Sequence, residues 1–116
     1  MTDSRKSALM NLLQFSRPLT DIARDLSAFG WDSDQELVAL EPAYIASVLQ
    51  RFLSEEFSIA DVEDWANAIE CREDIGLDPD SSVFMALHEL ANPLLTKPLT
   101  KQSATDLVAS LRAAAT

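Results

Sequence analysis

The only histidine of the chain, His88, is the first residue whose type could do chemistry. His88-Glu89 matches the first half of the zinc-protease motif His-Glu-x-x-His. That motif needs a second histidine four residues later, so that two imidazoles share one helix face and bind the metal. Position 92 is Asn, so this zinc site is excluded. We interpret His88 as a surface or half-buried packing residue.

Two acidic runs alternate in the manner of a calcium-binding loop. In the run from Asp32, the position that needs a glycine holds Leu37, and the position that needs a bidentate glutamate holds Ala43. The run from Asp78 has Glu89 at its last ligand position, but its glycine position holds a valine and it continues into a predicted helix. Helix capping explains these aspartates better than calcium does.

Nucleophilic and phosphate chemistry have equally little support. Cys71 is the only cysteine, so no internal disulfide can form. Its neighbour Arg72 would point about 100° away from it on a helix, which does not favour an activated thiolate. Two glycines in the whole chain cannot build a glycine-rich phosphate loop. We therefore expect no enzyme, no cofactor and no metal; an enzyme would require a concave pocket with strongly perturbed titrating groups.

The feature that remains is a local concentration of negative charge. Ten of the nineteen acidic residues lie in the window 55–80, which contains one basic residue, Arg72. That window carries a net charge of -9, against -10 for the whole chain. A sequence pI near 4.3 disfavours nucleic acid and anionic membrane surfaces as partners and favours a basic protein.

Most of this charge falls on a predicted helix, where the spacing i, i+4, i+7, i+11 forms one ridge. Stacked acids repel one another on a helix, so stability alone would not favour them. We predict that this ridge binds a basic partner; the alternative is a solvated face with no counter-charges. The predicted binding residues are Glu63, Asp64, Asn67, Glu70 and Asp74, extended by Asp78 and Asp80.

The hydrophobic periodicity that must position these residues predicts an all-α, single-domain compact bundle of about five to six helices over residues 1–116. Scarce glycine argues against many hairpins. The predicted helices cover residues 3–15, 18–30, 42–54, 59–75, 79–91 and a final segment after Thr100.

The strongest start signal is the capping box at Ser58 and Asp61, with Phe57 and Val62 at the positions of a hydrophobic staple. Asp78 is expected to cap the fifth helix, with Pro79 in its first turn, and Thr100 to cap the last. Residues 31–41 are predicted to be an extended connection.

For three further residues, the sequence leads to a specific expectation of their environment. Trp31 and Trp65 are predicted to be core residues, although an exposed Trp31 would indicate a binding hot spot. Arg72 is expected to pair with an acid between helices or to lie on an aromatic face.

The N-terminus has no signal-peptide pattern, and no apolar run is long enough to span a membrane. We therefore expect a cytoplasmic protein, and bacterial origin is part of this interpretation.

The chain also resembles two kinds of known protein. Residues 48–65 (VLQRFLSEEFSIADVEDW), with WAN, REDI and HELANP further along, resemble an uncharacterised family of small acidic bacterial all-α proteins. Residues 48–65 also resemble colicin-type immunity proteins, which are acidic helical bundles that block a basic nuclease toxin. That resemblance implies toxin inhibition but assigns no binding residue in this chain.

The sequence therefore predicts a non-enzymatic acidic protein-interaction module, with an immunity or inhibitor role toward a basic toxin as its sharpest form. The alternative is a housekeeping scaffold or a homo-oligomeric subunit, such as a homodimer, whose contacts are hydrophobic.

Overall fold

Six helices and two short strands make up the part of the chain that the computed structural model describes, residues 2–27, 37–70, 72, 75–76, 81–93 and 98–115. In chain order they are α1 (Thr2–Gln14), α2 (Leu19–Ser27), β1 (Val38–Ala39), α3 (Pro42–Leu53), α4 (Ile59–Glu70), β2 (Ile75–Gly76), α5 (Ser82–Ala91) and α6 (Lys101–Ala115). The predicted all-α fold is confirmed. No helix among the described residues is long and apolar enough to cross a membrane.

The core forms because each helix buries one apolar stripe against a neighbour. α3 packs chiefly on α6, α4 on α5, and α1 on α2, while α1 also contacts α3 and α4. Trp65 of α4 is fully buried, as predicted, and its indole N–H donates to the carbonyl oxygen of Leu12 in α1 at 2.6 Å. This bond satisfies the one polar atom of the indole ring in the centre of the bundle.

The two strands show that the predicted fourth helix was too long. That helix was expected to reach Ile75 and to end at Gly76, but α4 ends at Glu70. Val38 pairs with Ile75 and Ala39 with Gly76 in parallel register, and the N–H of Leu40 donates to the carbonyl of Gly76 at 3.1 Å. β1 therefore supplies backbone hydrogen bonds that replace the last helical turns.

Helix starts follow local sequence signals with one exception. Ser58 and Asp61 form the predicted capping box: the Asp61 N–H donates to Ser58 Oγ at 3.1 Å, and the Ser58 N–H donates to Asp61 Oδ2 at 2.9 Å. Thr100 caps α6 as predicted, because its Oγ1 accepts from the N–H of Ser103 at 3.0 Å. Pro42 begins α3 as predicted.

The exception is α5, for which a cap at Asp78 and a first turn containing Pro79 were predicted. The helix begins at Ser82, and Ser81 is its N-cap. The backbone of Ser81 is extended, and its hydroxyl accepts from the N–H of Phe84 at 3.1 Å. A serine immediately before the apolar stripe thus takes the capping position. Asp78 and Pro79 lie outside the described residues. The expected stop at Asn92-Pro93 is confirmed, since α5 ends at Ala91.

Two helices end in the same left-handed motif without glycine. Phe15 follows α1 with a φ of 48°, and Glu55 follows α3 with a φ of 67°. After α3, the N–H of Glu56 donates to the carbonyl of Arg51 and that of Glu55 to the carbonyl of Phe52, each at 2.9 Å. This pattern is a Schellman motif, in which glycine is the usual left-handed residue.

The two helix ends meet at Arg51. Its Nη1 donates to the carbonyls of Gln14 and Phe15 at 3.1 and 3.0 Å, and its Nε donates to Glu56. The guanidinium also lies 4.3 Å from the centre of the Phe57 ring, which stacks on Phe15 at 4.2 Å. Arg51 thus ties the C-terminus of α1 to the C-terminus of α3, where cations are favourable.

Candidate partner-binding surface

The predicted ridge lies on the flank of α4 that faces α5. Glu63, Asn67 and Glu70, the described members of the predicted ridge, follow one another along this flank, and we call these three residues the α4 ridge. The stripe that includes Val62, Trp65, Ala66 and Ile69 faces the core instead. Helical geometry places the centre of the ridge about a third of a turn from the centre of the stripe, so the ridge borders the packed interface with α5.

Glu70, at the end of the ridge, is held by α5. Its Oε2 lies 3.1 Å from His88 Nδ1, and its Oε1 accepts from Asn92 Nδ2 at 3.3 Å. Its side chain retains 27% exposure, whereas that of His88 retains 47%. His88 is therefore a surface residue, as the sequence indicated. Glu70 connects two helices and is not the open carboxylate that we expected.

Asn67 separates the two ridge carboxylates. Its Nδ2 donates to the backbone carbonyl of Glu63 at 3.0 Å, and the residue is exposed. A neutral amide between Glu63 and Glu70 reduces the like-charge repulsion that adjacent acids on one helix face would produce. The side chain remains accessible to a partner.

Glu63 and Asp64 are the described acids of this surface that have no counter-charge. Within the described ranges, neither carboxylate forms an ion pair. Asp64 is exposed, and Glu63 is half-buried beside Glu89 and Leu90 of α5 at the edge of a small cavity. The first turns of α4 therefore carry a concentration of carboxylate charge.

The other described acids of the window are engaged elsewhere. Glu56 accepts from Arg51, Glu55 lies 3.6 Å from Lys101, and Asp61 caps its own helix. The predicted binding residues Asp74, Asp78 and Asp80 lie outside the described residues. Among the described residues, the carboxylates of the candidate surface that have no ion pair are therefore Glu63 and Asp64, with Asn67 beside them, and the roles of Asp74, Asp78 and Asp80 stay predictions.

Two large apolar side chains are exposed on α4 and α5, and sequence reasoning did not single them out. Ile59 is 52% exposed and Met85 is 69% exposed; they are the only large hydrophobic residues that are exposed in the described part of the chain. Ile59 precedes Glu63 by one helical turn. Met85 precedes His88 by about one turn of α5, and His88 contacts Glu70. Periodicity could not have revealed the exposure of Ile59, because it lies only about 20° around the helix from the buried Ala66.

Arg72 and Trp31 are the remaining residues for which the sequence led to a specific expectation. Arg72 is 6% exposed, which agrees with the expectation that it lies between helices; an ion pair there stays a prediction. Trp31 is outside the described residues. No group of three or more His, Cys, Asp or Glu side chains is arranged to hold a metal within the described residues.

Comparison with known proteins found no match: no family model, no curated protein and no solved structure is significantly similar to this chain.

Proposed function

We propose that this protein is a non-enzymatic interaction module that binds a basic protein through the α4 ridge and Asp64. The observation that carries the proposal is the combination on α4: Glu63 and Asp64 have no ion-pair partner among the described residues, and the exposed Ile59 lines the same small cavity as Glu63. The proposal includes a cytoplasmic location.

Charged and apolar side chains would contribute differently to such an interface. Glu63 and Asp64 would attract a cationic partner and raise its association rate, an effect that salt screens. Ile59 would lose water-exposed apolar surface on binding, which supplies affinity that salt does not remove. Isolated surface charges contribute little affinity, so the apolar contacts are needed for a stable complex.

The sharpest form of the proposal is an immunity or inhibitor role toward a basic toxin. Its support is the resemblance of residues 48–65 to colicin-type immunity proteins and the acidity of this chain, with a net charge of -10. An acidic inhibitor that covers a cationic nuclease would compete with the phosphates of the nucleic acid for the same charges.

A charge-reversal experiment tests the partner-binding proposal. The Glu63→Lys/Asp64→Lys double variant is compared with Glu41→Lys/Asp106→Lys as a control. The control changes the net charge by the same amount at two other exposed positions, Glu41 before α3 and Asp106 on α6. Each protein is used to capture partners from a native lysate at low and high salt. We expect the wild type and the control to retain a basic protein at low salt and the ridge variant to lose it. Identical capture profiles for all three would contradict the proposal.

The alternative function is that of a homo-oligomeric subunit with hydrophobic contacts, and the exposure of Ile59 and Met85 is the observation that favours it. In this case the two side chains meet a second copy of the chain. Sedimentation velocity over a range of dilutions distinguishes the two functions. A dimer that Met85→Ser dissociates would support the alternative, whereas a monomer at all concentrations would exclude it.

A further inference from the structure

A largely apolar cavity of about 330 Å³ lies between α1, α2 and α4, away from the α4 ridge. This volume is at the lower end of the range for small-molecule sites. Among the described residues, apolar side chains from three helices form most of the wall, and Arg72 is its one cationic residue. The wall includes Leu12, Leu19, Ile22, Leu26, Ala68 and Arg72.

Arg72 gives the cavity its chemical character. The residue is 6% exposed, and its backbone N–H donates to the carbonyl of Ile69 at 3.1 Å, which fixes the chain where α4 has ended. A guanidinium has five N–H donors in a planar fork that matches a carboxylate. It can therefore keep a structural partner and still donate to a ligand.

We propose that this cavity binds a small aliphatic carboxylate, with its chain between α1, α2 and α4 and its carboxylate on Arg72. The apolar wall selects a hydrocarbon chain, because each methylene removed from water favours binding. The buried cation selects the anionic head group. The protein carries a net charge of -10, so anions are repelled in general and a specific cation is needed to hold one.

The first test uses the unaltered protein and isothermal titration calorimetry with octanoate, octanol and octylammonium. We expect octanoate to bind roughly tenfold more tightly than octanol, because a charge-assisted hydrogen bond is added. Octylammonium is expected not to bind. The affinity should rise about fourfold per methylene from hexanoate to octanoate. Equal affinities for octanoate and octanol, or no binding of either, would overturn the proposal.

A second test changes the cavity. Ala68→Phe places a ring in it and should weaken octanoate binding at least about tenfold, because the ring displaces the hydrocarbon chain. Ala109→Phe, at an exposed position on α6, is the matched control and should bind octanoate as the wild type does. Octanoate binding that Ala68→Phe leaves unchanged would show that the ligand lies elsewhere.

Arg72→Met removes the cation and keeps the apolar stem. Its octanoate affinity should fall to that of octanol, and circular dichroism verifies that the variant is folded. An undiminished preference for octanoate would contradict the role of Arg72. If this variant does not fold, the ligand series and Ala68→Phe decide the question.

Discussion

Arg51 shows how much of this fold depends on single polar side chains. It donates to two carbonyls at the end of α1, to Glu56 after α3, and lies over the Phe57 ring. A lysine ammonium cannot make these contacts together, because it is a point charge without the planar fork of donors. The side chain thus stabilises a junction between helix ends that lie far apart in the sequence.

Arg51→Lys should therefore lower the free energy of unfolding by about 1–2 kcal/mol, because at least one carbonyl and the ring contact lose their partner. Urea denaturation followed by circular dichroism measures the change. Arg24→Lys is the matched control, since Arg24 makes only a long, exposed pair with Asp21 at 3.9 Å. Equal midpoints for the two variants would show that the Arg51 contacts add no stability.

The sequence predicted the burial of Trp65 because its helical stripe is regular, but it did not reveal the contacts of Arg51 or Glu70. Arg51 meets carbonyls 36 and 37 positions earlier in the chain, and Glu70 meets His88 18 positions later. Contacts of this kind depend on the packing of whole helices. No local periodicity encodes them.

Helix starts were more predictable than helix ends. A capping box is a local signal, so the sequence placed the beginning of α4 correctly at Ser58. The end of α4 depends on β1, which lies about thirty residues earlier and pairs with Ile75–Gly76. Because Gly76 is a typical helix terminator, the sequence pattern favoured a longer helix that the strand pairing prevents.

Ser58→Ala should destabilise the fold by about 1 kcal/mol, because the N–H of Asp61 loses its capping oxygen. The shift of the thermal or urea midpoint reports the loss. Ser110→Ala, at an exposed position inside α6, is expected to leave stability unchanged or to raise it, since alanine is the better helix former. A wild-type midpoint for Ser58→Ala would mean that the capping box is energetically neutral.

Glu55→Gly should stabilise the protein by about 0.5–1 kcal/mol, because glycine adopts the left-handed conformation without the strain of a side chain. The lost pair with Lys101 is exposed on both sides and contributes little. Glu56→Gly, one position later, should destabilise the fold because Glu56 accepts from Arg51. A lower urea midpoint for Glu55→Gly would refute the strain argument.

At the scale of the whole molecule, the charge distribution is uneven and only partly readable from the sequence. The sequence located the acidic window, but the fold decides which of its carboxylates are engaged by arginine, lysine, histidine or a helix cap. Among the described acids of the window, Glu63 and Asp64 remain without an ion pair, and Glu63 lies near the exposed Ile59. This arrangement is the basis of our proposal that the protein binds a basic protein partner.

The central claim, that this surface binds a cationic protein, is tested most directly by the affinity of the captured partner for purified variants. Isothermal titration calorimetry over a range of salt concentrations gives the dissociation constant for each one. We predict that Glu63→Lys/Asp64→Lys weakens binding roughly tenfold or more and reduces its salt dependence, while Glu41→Lys/Asp106→Lys retains wild-type affinity within a few-fold. Equal dissociation constants for the two double variants would contradict the claim.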